Sequence, residues 1–362
     1  MRRVGLVGTG LIGGSIGLAL TRAGVEVRAF DADADQATRA VAMGAAADAA
    51  GSIEAVVRDA DVVIIATPVG LVAELVIEAL DAGAAVVTDV GSVKGPILRE
   101  VEQARPDLAP RFVGGHPMAG SEQDGLEGAA VDLFAGATWV LTPTGSTDAG
   151  AHTAVRSLVA ELGAEIVEVT PQHHDALVAV VSHVPQLAAT TLMDVAATSG
   201  EEHAILLRLA AGGFRDMTRI AAGHPGIWPD ICIANRDAIV AGLDDYLRAL
   251  AVVRGFVAAG DADALLRVLE RARDARRNLP RRATVEGPLV ELRVPVPDRP
   301  GVLAEITMLA SRLAVNIADL EIAHSMEGET GVIVMVVPEA GVEQFESELI
   351  AAGYHVARSA LP

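Results

Sequence analysis

The sequence is poor in cysteine, lysine and positive charge, and each shortage narrows the kinds of protein it can encode. Its 362 residues include a single cysteine, Cys232, which excludes an intramolecular disulfide and favours a reducing compartment. The formal net charge of −20 argues against a nucleic-acid or an anionic-membrane partner. Lys94 is the only lysine, so we attribute the arginine-rich stretches to compositional bias and infer no function from them.

Long apolar runs are also lacking. Residues 62–66 form an apolar run of strand length, far short of the ~20 residues that a membrane-spanning helix needs. A predicted core strand begins near residue 3, so we expect no signal peptide before it. The chain is long enough for two or three domains. Together these observations predict a cytoplasmic protein.

A glycine-rich turn, G-T-G-L-I-G at residues 8–13, follows the first predicted strand, and the second strand ends on Asp31. In such a strand–turn–helix unit, Gly8 permits the tight turn and Gly10 lets the backbone approach a pyrophosphate, while Gly13 lets the helix pack closely on the strand. The free N–H groups at the start of the helix attract phosphate. Asp31 would accept hydrogen bonds from ribose hydroxyls and repel a 2′-phosphate, so the pattern predicts NAD rather than NADP as cofactor.

Three regions differ in the secondary structure that their patterns predict. Residues 1–170 alternate short strands with helices, which predicts a doubly wound, mainly parallel α/β sheet of the Rossmann type. Residues 171–285 form an all-helical region, and residues 288–362 follow the order βαββαβ of a ferredoxin-like unit. The predicted helices of the middle region are 175–198, 204–211, 227–259 and 262–277. The first of these is apolar on every side, so we expect the region to be buried in a subunit interface.

Two segments that follow predicted strands carry polar side chains. D-V-G-S-V-K at 89–94 places Ser92 where it can bond a substrate hydroxyl or the nicotinamide amide; the alternative is a helix-capping serine beside a solvated Lys94. G-G-H-P-M-A-G-S-E at 114–122 contains His116. Removal of hydride from an alcohol needs a base for the hydroxyl proton, and imidazole titrates near neutral pH. His116 therefore suits that task, the alternative being a structural loop histidine.

A third segment, G-G-F-R-D-M-T-R-I-A at 212–221, precedes Trp228 in the helical region. Arg215 and Arg219 are four residues apart, so on a helix they would share one face and could each bind a carboxylate bidentately. The alternative is a surface salt-bridge network. His183 lies in the apolar helix just before a proline, either as a core histidine with satisfied hydrogen bonds or in a pocket opened by a kink.

These segments, in this order, resemble the prephenate dehydrogenases of tyrosine biosynthesis over residues 1–285. G-G-H-P-M-A-G and G-F-R-D-M-T-R-I-A are the specific segments, whereas the glycine fingerprint alone is not. The resemblance implies an NAD-dependent homodimer without a metal that oxidises and decarboxylates prephenate to 4-hydroxyphenylpyruvate. Arogenate, which would give tyrosine directly, is the alternative substrate.

The family's motifs imply roles for individual residues. His116 corresponds to the catalytic base, Ser92 assists it and contacts the cofactor, and Arg219 binds a substrate carboxylate. Some members of the family carry lysine at the position of Arg215. The further implied substrate contacts are Arg215, His183, Trp228 and Ser121, and the implied cofactor contacts are Gly8, Gly10, Leu11, Ile12, Gly13, Asp31, Thr67 and Pro68.

The C-terminal segment V-P-V-P-D-R-P-G-V-L at 294–303, with N-I at 316–317, resembles an ACT domain. Such domains pair and bind amino acids at the turn after their first strand, which implies regulation by an aromatic amino acid such as the end product tyrosine. The implied ligand contacts are Asp298, Arg299, Gly301, Val302, Asn316 and Ile317. The alternative is a structural appendage without a ligand.

Two other functions fit parts of the sequence. A β-hydroxyacid dehydrogenase typically needs a lysine in its helical domain, and this chain has none there. A non-catalytic sensor of NAD or amino acids would not need both the His116 segment and the paired arginines. The sequence therefore favours a metal-independent dehydrogenase with three domains, at 1–170, 171–285 and 288–362.

Overall fold

The computed structural model describes residues 3–120, 123, 125–198, 210, 212–278, 288–297, 299–324 and 330–360. These residues fall into two units. The first contains the described residues up to 198 together with 218–250. The second contains 210, 212–217 and the described residues from 251 onward.

The first unit is built on one eight-stranded sheet. Its strands are β1 (Arg3–Val7), β2 (Glu26–Phe30), β3 (Asp48–Ala49), β4 (Val62–Ile65), β5 (Val87–Asp89), β6 (Phe112–Pro117), β7 (Thr138–Thr142) and β8 (Glu165–Glu168). They lie in the order β3-β2-β1-β4-β5-β6-β7-β8. Every neighbouring pair is parallel except β6 and β7. The predicted doubly wound, mainly parallel sheet is confirmed.

Strand β4 shows why these apolar runs form central strands. All four of its side chains are buried, as expected for a strand covered by helices on both faces. Alternate side chains point to opposite faces, so Val62 and Ile64 join one apolar cluster while Val63 and Ile65 join the other. Helices Leu11–Arg22 and Ala149–Glu161 complete the first cluster, and Val69–Asp81 and Gly95–Ala104 complete the second.

The remaining helices complete the two units. The other α-helices are Ala34–Ala42, Ile53–Val57, Pro171–Val178, Val184–Ala197, Gly212–Thr218, Trp228–Ala234, Arg236–Ala259 and Ala262–Arg277. Short 3₁₀ turns occupy Ala109–Arg111, Leu126–Gly128, Arg219–Ala222 and Pro225–Ile227. The predicted helix at 204–211 lies outside the described residues, apart from residue 210.

Two long predicted helices are interrupted. The helix predicted at 175–198 begins at Pro171 and contains a π-helical turn at Ala179–His183 before Val184–Ala197. Pro185 lacks an N–H and cannot continue the regular hydrogen-bond ladder, so a wider turn precedes it. The helix predicted at 227–259 is broken at Asn235, between Trp228–Ala234 and Arg236–Ala259.

The continuous helical segment Pro171–Ala197 is long and apolar enough to cross a membrane by length and composition, which the sequence analysis overlooked. Its mean hydropathy is 1.5 over the most apolar window. Polar side chains contradict a spanning role, because His174, Asp175 and His183 are buried and hydrogen-bonded within the first unit. We therefore interpret this segment as a helix of the first unit, with one third of its most apolar window buried.

The C-terminal part of the second unit forms a separate antiparallel sheet. Its elements are β9 (Leu289–Pro297), helix Val302–Arg312, β10 (Asp319–His324), β11 (Thr330–Pro338), helix Val342–Ala351 and β12 (Ala357–Ala360). The strand order is β10-β11-β9-β12. Alternate residues of β9, from Val290 to Val296, are buried against both helices. The predicted βαββαβ order is confirmed.

Candidate active site

The glycine-rich turn has the geometry that a dinucleotide requires. Gly8 has φ +93°, in the left-handed region that favours glycine. A Cβ on Gly13 would lie 2.0 Å from the carbonyl oxygen of Gly8, so only glycine lets the helix start this close to the strand. Nothing lies within 4 Å of the corresponding position at Gly10. Gly10 also precedes helix Leu11–Arg22 without a side-chain cap, which leaves its first N–H groups available to a phosphate.

Asp31 lies at the end of β2, where sequence analysis expected a ribose ligand. Its Oδ2 accepts hydrogen bonds from the backbone N–H and the hydroxyl of Thr9, both at 2.8 Å. Its Oδ1 accepts from the backbone N–H of Asp33 at 3.0 Å. These bonds fix the carboxylate beside the glycine turn and use both lone pairs of Oδ2, so Oδ1 keeps one lone pair for a ribose hydroxyl.

A cavity of about 830 Å³ opens at the carboxyl ends of the central strands. In open α/β sheets this edge is where ligands bind. The lining residues come from the glycine turn, the loops after β4, β5 and β6, and the helical segments of the same unit. They are Gly10, Leu11, Ile12, Ala66, Thr67, Pro68, Val69, Val90, Gly91, Ser92, His116, Pro117, Met118, Ala119, Gly120, Gly125, Ser182, His183, His224, Ile227, Trp228 and Ile231.

The cavity brings together many of the residues singled out from the sequence. The cofactor candidates Gly10, Leu11, Ile12, Thr67, Pro68 and Ser92 line it, as do His116, His183 and Trp228. Gly8, Gly13 and Asp31 do not line it themselves but shape the turn that does. Ser121 lies outside the described residues.

The two arginines do not form the pair that the sequence predicted. Helix Gly212–Thr218 ends before Arg219, which belongs to the following 3₁₀ turn, so the two do not share one regular helical face. Arg219 is exposed and is not among the residues that line the cavity. Arg215 belongs to the second unit, and its Nε donates to the carbonyl oxygen of Ala210 at 3.2 Å. The helix ends early because residues 219–222 tighten into a 3₁₀ turn before Gly223.

His116 lies at the end of β6 and is joined to a second histidine. Its Nδ1 is 2.8 Å from Nε2 of His174, which is buried at the start of helix Pro171–Val178. The pKa of His116 is lowered well below 6.5, first by burial and then by His174, Lys94 and His183. His116 is therefore neutral near neutral pH, and its pKa is lower than the near-neutral value expected from the sequence.

Lys94 is fully buried, contrary to the solvated lysine considered from the sequence. Its Nζ pairs with Asp89 and donates to the carbonyl oxygen of Gly115 at 2.8 Å. Asp89 in turn accepts from the backbone N–H groups of Gly91 and Gly115. Burial lowers the pKa of Lys94, and the carboxylate of Asp89 opposes that shift. The pair thus ties the Ser92 loop to the strand that carries His116.

His183, in the π-helical turn, is the second imidazole that lines the cavity. Its Nδ1 lies 3.2 Å from Nδ2 of Asn235, at the break between two helices. The ring of Trp228 lies edge-on to it, with centroids 6.1 Å apart. Burial lowers the pKa of His183 to about 4. The sequence left two interpretations of His183 open, a hydrogen-bonded core histidine and a pocket residue. His183 has both properties, because it is hydrogen-bonded to Asn235 and borders the cavity.

Sequence reasoning missed several polar residues of the site. His174 and Asp175 are buried behind His116, and His224 lines the cavity. Asn235 received no role although it bonds His183. The H-H-D at 173–175, at the polar start of an apolar helix, was the one available signal. No group of three or more His, Cys, Asp or Glu residues within the described ranges could hold a metal ion.

The turn at which the sequence predicts a regulatory ligand follows β9. Gly301 has φ +96° and precedes helix Val302–Arg312, whose first residue, Val302, is buried in the local core together with the partly buried Ile317. Arg299 forms a two-pronged ion pair with Glu305. Asp298 lies outside the described residues. A groove of about 460 Å³ lies instead along the two helices and is lined by Glu305, Ile306, Met308, Leu309, Ser311, Arg312, Leu349, Ala352 and Tyr354.

The chain matches three family patterns in succession. The nucleotide-binding domain of prephenate dehydrogenase matches residues 16–168, and its dimerization domain matches residues 170–271. An ACT domain like that of the AHAS small subunit matches residues 292–351.

Similar proteins span most of the chain. Prephenate dehydrogenase of Bacillus subtilis (strain 168) is 37% identical over 334 residues, covering 91% of this chain and 90% of its own length. The crystal structure of prephenate dehydrogenase from A. aeolicus with hydroxyphenyl propionate and NAD+ is 30% identical, with a TM-score of 0.72 over 77% of this chain and 99% of that one. Synechocystis arogenate dehydrogenase is also 30% identical, with a TM-score of 0.67 over 76% of this chain and 99% of its own.

Proposed function

Because the chain belongs to the prephenate dehydrogenase family, we propose that it catalyses the NAD-dependent oxidative decarboxylation of prephenate to 4-hydroxyphenylpyruvate in tyrosine biosynthesis. The observation that carries the proposal is the joint lining of one cavity by the dinucleotide turn and by His116. A neutral, hydrogen-bonded imidazole next to a cofactor site is the arrangement that oxidation of an alcohol needs.

Each residue of the site has its own role in the proposed reaction. His116 takes the proton of the ring hydroxyl, and Ser92, on the neighbouring loop, holds that hydroxyl. Bound NAD supplies the hydride acceptor. The ring ketone that results withdraws electrons from the carbon that bears the carboxylate, so carbon dioxide leaves and the ring becomes aromatic. We expect Arg219 to hold one substrate carboxylate, and the enzyme must not neutralise the carboxylate that leaves.

Arogenate is the second candidate substrate. It carries an amine in place of the keto group of prephenate, and a solved relative at 30% identity is an arogenate dehydrogenase.

Cofactor choice follows from Asp31, whose fixed carboxylate beside the glycine turn favours two free ribose hydroxyls over a 2′-phosphate.

The assembly and the domain limits are part of the same proposal. Residues 1–170 bind the cofactor, residues 171–285 form a homodimer, and residues 288–362 regulate the enzyme by binding an aromatic amino acid. Exposed apolar side chains such as Val180 and Val181 support the dimer. The single cysteine supports a cytoplasmic location.

A direct assay tests the proposal. Purified protein is incubated with prephenate or arogenate and with NAD or NADP, and NADH or NADPH formation is followed by absorbance. We expect turnover of prephenate with NAD, and a decrease in kcat of about 10²–10⁴ for His116→Asn with cofactor binding retained. No turnover of either substrate, with NAD still bound, would instead favour a non-catalytic sensor of NAD or amino acids.

The regulatory part has its own test. Tyrosine should inhibit the full-length enzyme, and deletion of residues 288–362 should abolish inhibition if the ACT-like domain is the sensor. A truncated enzyme that stays active and keeps full sensitivity to tyrosine would place inhibition elsewhere, for example at the active site.

A further inference from the structure

Of the three described imidazoles that line the cavity, those of His116 and His183 each turn Nδ1 towards a buried polar partner. His116 Nδ1 faces His174, and His183 Nδ1 faces Asn235. Both contacts meet at Asp175. Its side chain bonds His174, and its backbone carbonyl oxygen accepts from Asn235 at 2.9 Å. In a neutral imidazole one nitrogen donates and the other accepts, so the partner at Nδ1 decides what Nε2 can do.

The hydrogen bonds behind His116 have one consistent direction. Asp175 Oδ1 accepts from the N–H of Lys94 and Oδ2 accepts from the N–H of Gly95, both at 2.8 Å, so this carboxylate is an acceptor. Its Oδ1 therefore accepts from Nδ1–H of His174, at 2.9 Å. The Nε2 of neutral His174 is then bare and accepts from Nδ1–H of His116. The Nε2 of His116 is left as an acceptor.

The hydrogen bonds behind His183 run the other way. The amide of Asn235 cannot be reversed, because its Nδ2 faces the carbonyl oxygen of Asp175, which only accepts. The second N–H of the same Nδ2 points to Nδ1 of His183, which must accept. The Nε2 of neutral His183 therefore carries a hydrogen and is a donor.

We propose that Asp175 and Asn235 are positioning residues that set His116 and His183 in opposite tautomers, with Nε2 of His116 as acceptor and Nε2–H of His183 as donor. For the proposed function, on which this part rests, the acceptor takes the hydroxyl proton of the substrate. The donor binds an oxygen without hydrogen, which is a carboxylate or keto oxygen of the same molecule. The site thereby selects a substrate that carries both groups.

The relay also offers a place for the proton. When Nε2 of His116 accepts the hydroxyl proton, its Nδ1 proton can move to Nε2 of His174, so that the positive charge lies next to the carboxylate of Asp175. The first transfer breaks the O–H bond of the substrate and forms an N–H bond at Nε2 of His116. The second breaks the Nδ1–H bond of His116 and forms an N–H bond at Nε2 of His174, and no other reactant is required. The starting state is restored when the proton passes back from His174 to Nδ1 of His116 and the Nε2 proton of His116 leaves to water with the product.

Nitrogen NMR of the full-length protein with ¹⁵N-labelled histidine tests the tautomers without any substrate. At a pH well above the ordinary imidazole value of about 6.5, we expect Nδ1–H with bare Nε2 for His116, and the reverse for His183. His116→Gln and His183→Gln assign the signals. A hydrogen on Nε2 of His116, or a doubly protonated His174, would overturn the proposal, and either result is independent of whether prephenate is the substrate.

Kinetics of four variants separate positioning from folding. His174→Leu should lower kcat by about 10–10³-fold with little change in KM, whereas His174→Gln, whose Oε1 can accept from His116, should recover part of that loss. Asn235→Leu should mainly raise KM, by about tenfold or more, because His183 then samples both tautomers. Gln186→Leu, a change at another buried polar residue of the helical segment Pro171–Ala197, is the matched control and should leave the histidine signals unchanged. The same decrease in kcat and the same increase in KM for all four variants would contradict the proposal.

Discussion

The sheet and the helices that follow it differ in how completely one chain buries their apolar residues. Helix Val69–Asp81 buries five residues against the sheet, including Val72, Val76 and Leu80. Helix Arg236–Ala259 is almost twice as long, yet within it the structure shows only Ile239 as buried. Leu247 and Val257 on that helix are 58% and 63% exposed.

This difference indicates which part of the protein completes its core alone. The sheet supplies two apolar faces, and helices of the same chain cover both. Helical surfaces with several large exposed apolar residues are typical of subunit interfaces. We therefore expect changes within the sheet to act on the stability of one chain, and changes on the exposed helices to act on association.

Removal of a buried charge from the sheet region should have the largest effect. Lys94→Met leaves Asp89 buried without its cation, which costs about 3–5 kcal/mol in the free energy of unfolding. Urea denaturation measures it. Arg248→Met, which breaks an exposed pair with Asp245 on the long helix, is the matched control and should give a change too small to resolve. Equal changes in the free energy of unfolding for the two variants would contradict the expected difference between the sheet region and the exposed helices.

Charged substitutions on the exposed helices should weaken association. Val180→Glu and Leu247→Glu each place a charge where an apolar side chain would be buried, at about 1.5–3 kcal/mol per side chain. Analytical ultracentrifugation should show a dimer for the unsubstituted protein and a dissociation constant at least tenfold higher for each variant. Met43→Glu, at an exposed apolar position of the sheet region, is the control. An active monomer of the unsubstituted protein would contradict the interface.

Substrate binding by the helical region is tested at Arg219. Arg219→Ala should raise KM by about 10–200-fold, because a charge-assisted bond to a carboxylate contributes roughly 1.5–3 kcal/mol. Steady-state kinetics with Arg248→Ala as control measure the effect. Unchanged KM and kcat/KM would make Arg219 an ordinary surface residue, consistent with its exposure in a single chain.

Cofactor selection by the sheet region should have a smaller effect. NADP should be poorer than NAD by at least ~10-fold in kcat/KM, because its 2′-phosphate would lie beside Asp31. Asp31→Asn should reduce the ratio of kcat/KM with NAD to kcat/KM with NADP. Equal kcat/KM for the two cofactors would remove Asp31 from cofactor choice.

The pH dependence should show the smallest change. Because the pKa of His116 is lowered well below 6.5, the base stays neutral and kcat/KM stays level as pH falls from 8 through 6.5. Activity is lost only when pH falls through the lowered pKa and the ring is protonated. A loss of half the activity near pH 6.5 would show that burial does not shift His116 in the working enzyme.

Several features were predictable because they are local. Apolar runs predicted the strands, and the order of strands and helices predicted the βαββαβ unit at the C-terminal end. The glycine turn, Asp31 and the loops with Ser92 and His116 were found from their position after strands. Breaks in the long helices were less predictable, since Pro185 shifts the π-helical turn to residues before it.

Tertiary structure alone decided the hydrogen bonds that give these residues their chemistry. His116 and His174 are 58 residues apart in sequence, and Asn235 bonds a carbonyl oxygen 60 residues away. A periodic pattern records which face of an element is buried, but it does not record which buried polar groups meet across elements. The sequence by itself therefore determined the folds of the domains, the family and the candidate base. The packing of the helices onto the sheet edge determined the burial of Lys94, the lowered pKa of His116 and the partners of both histidines.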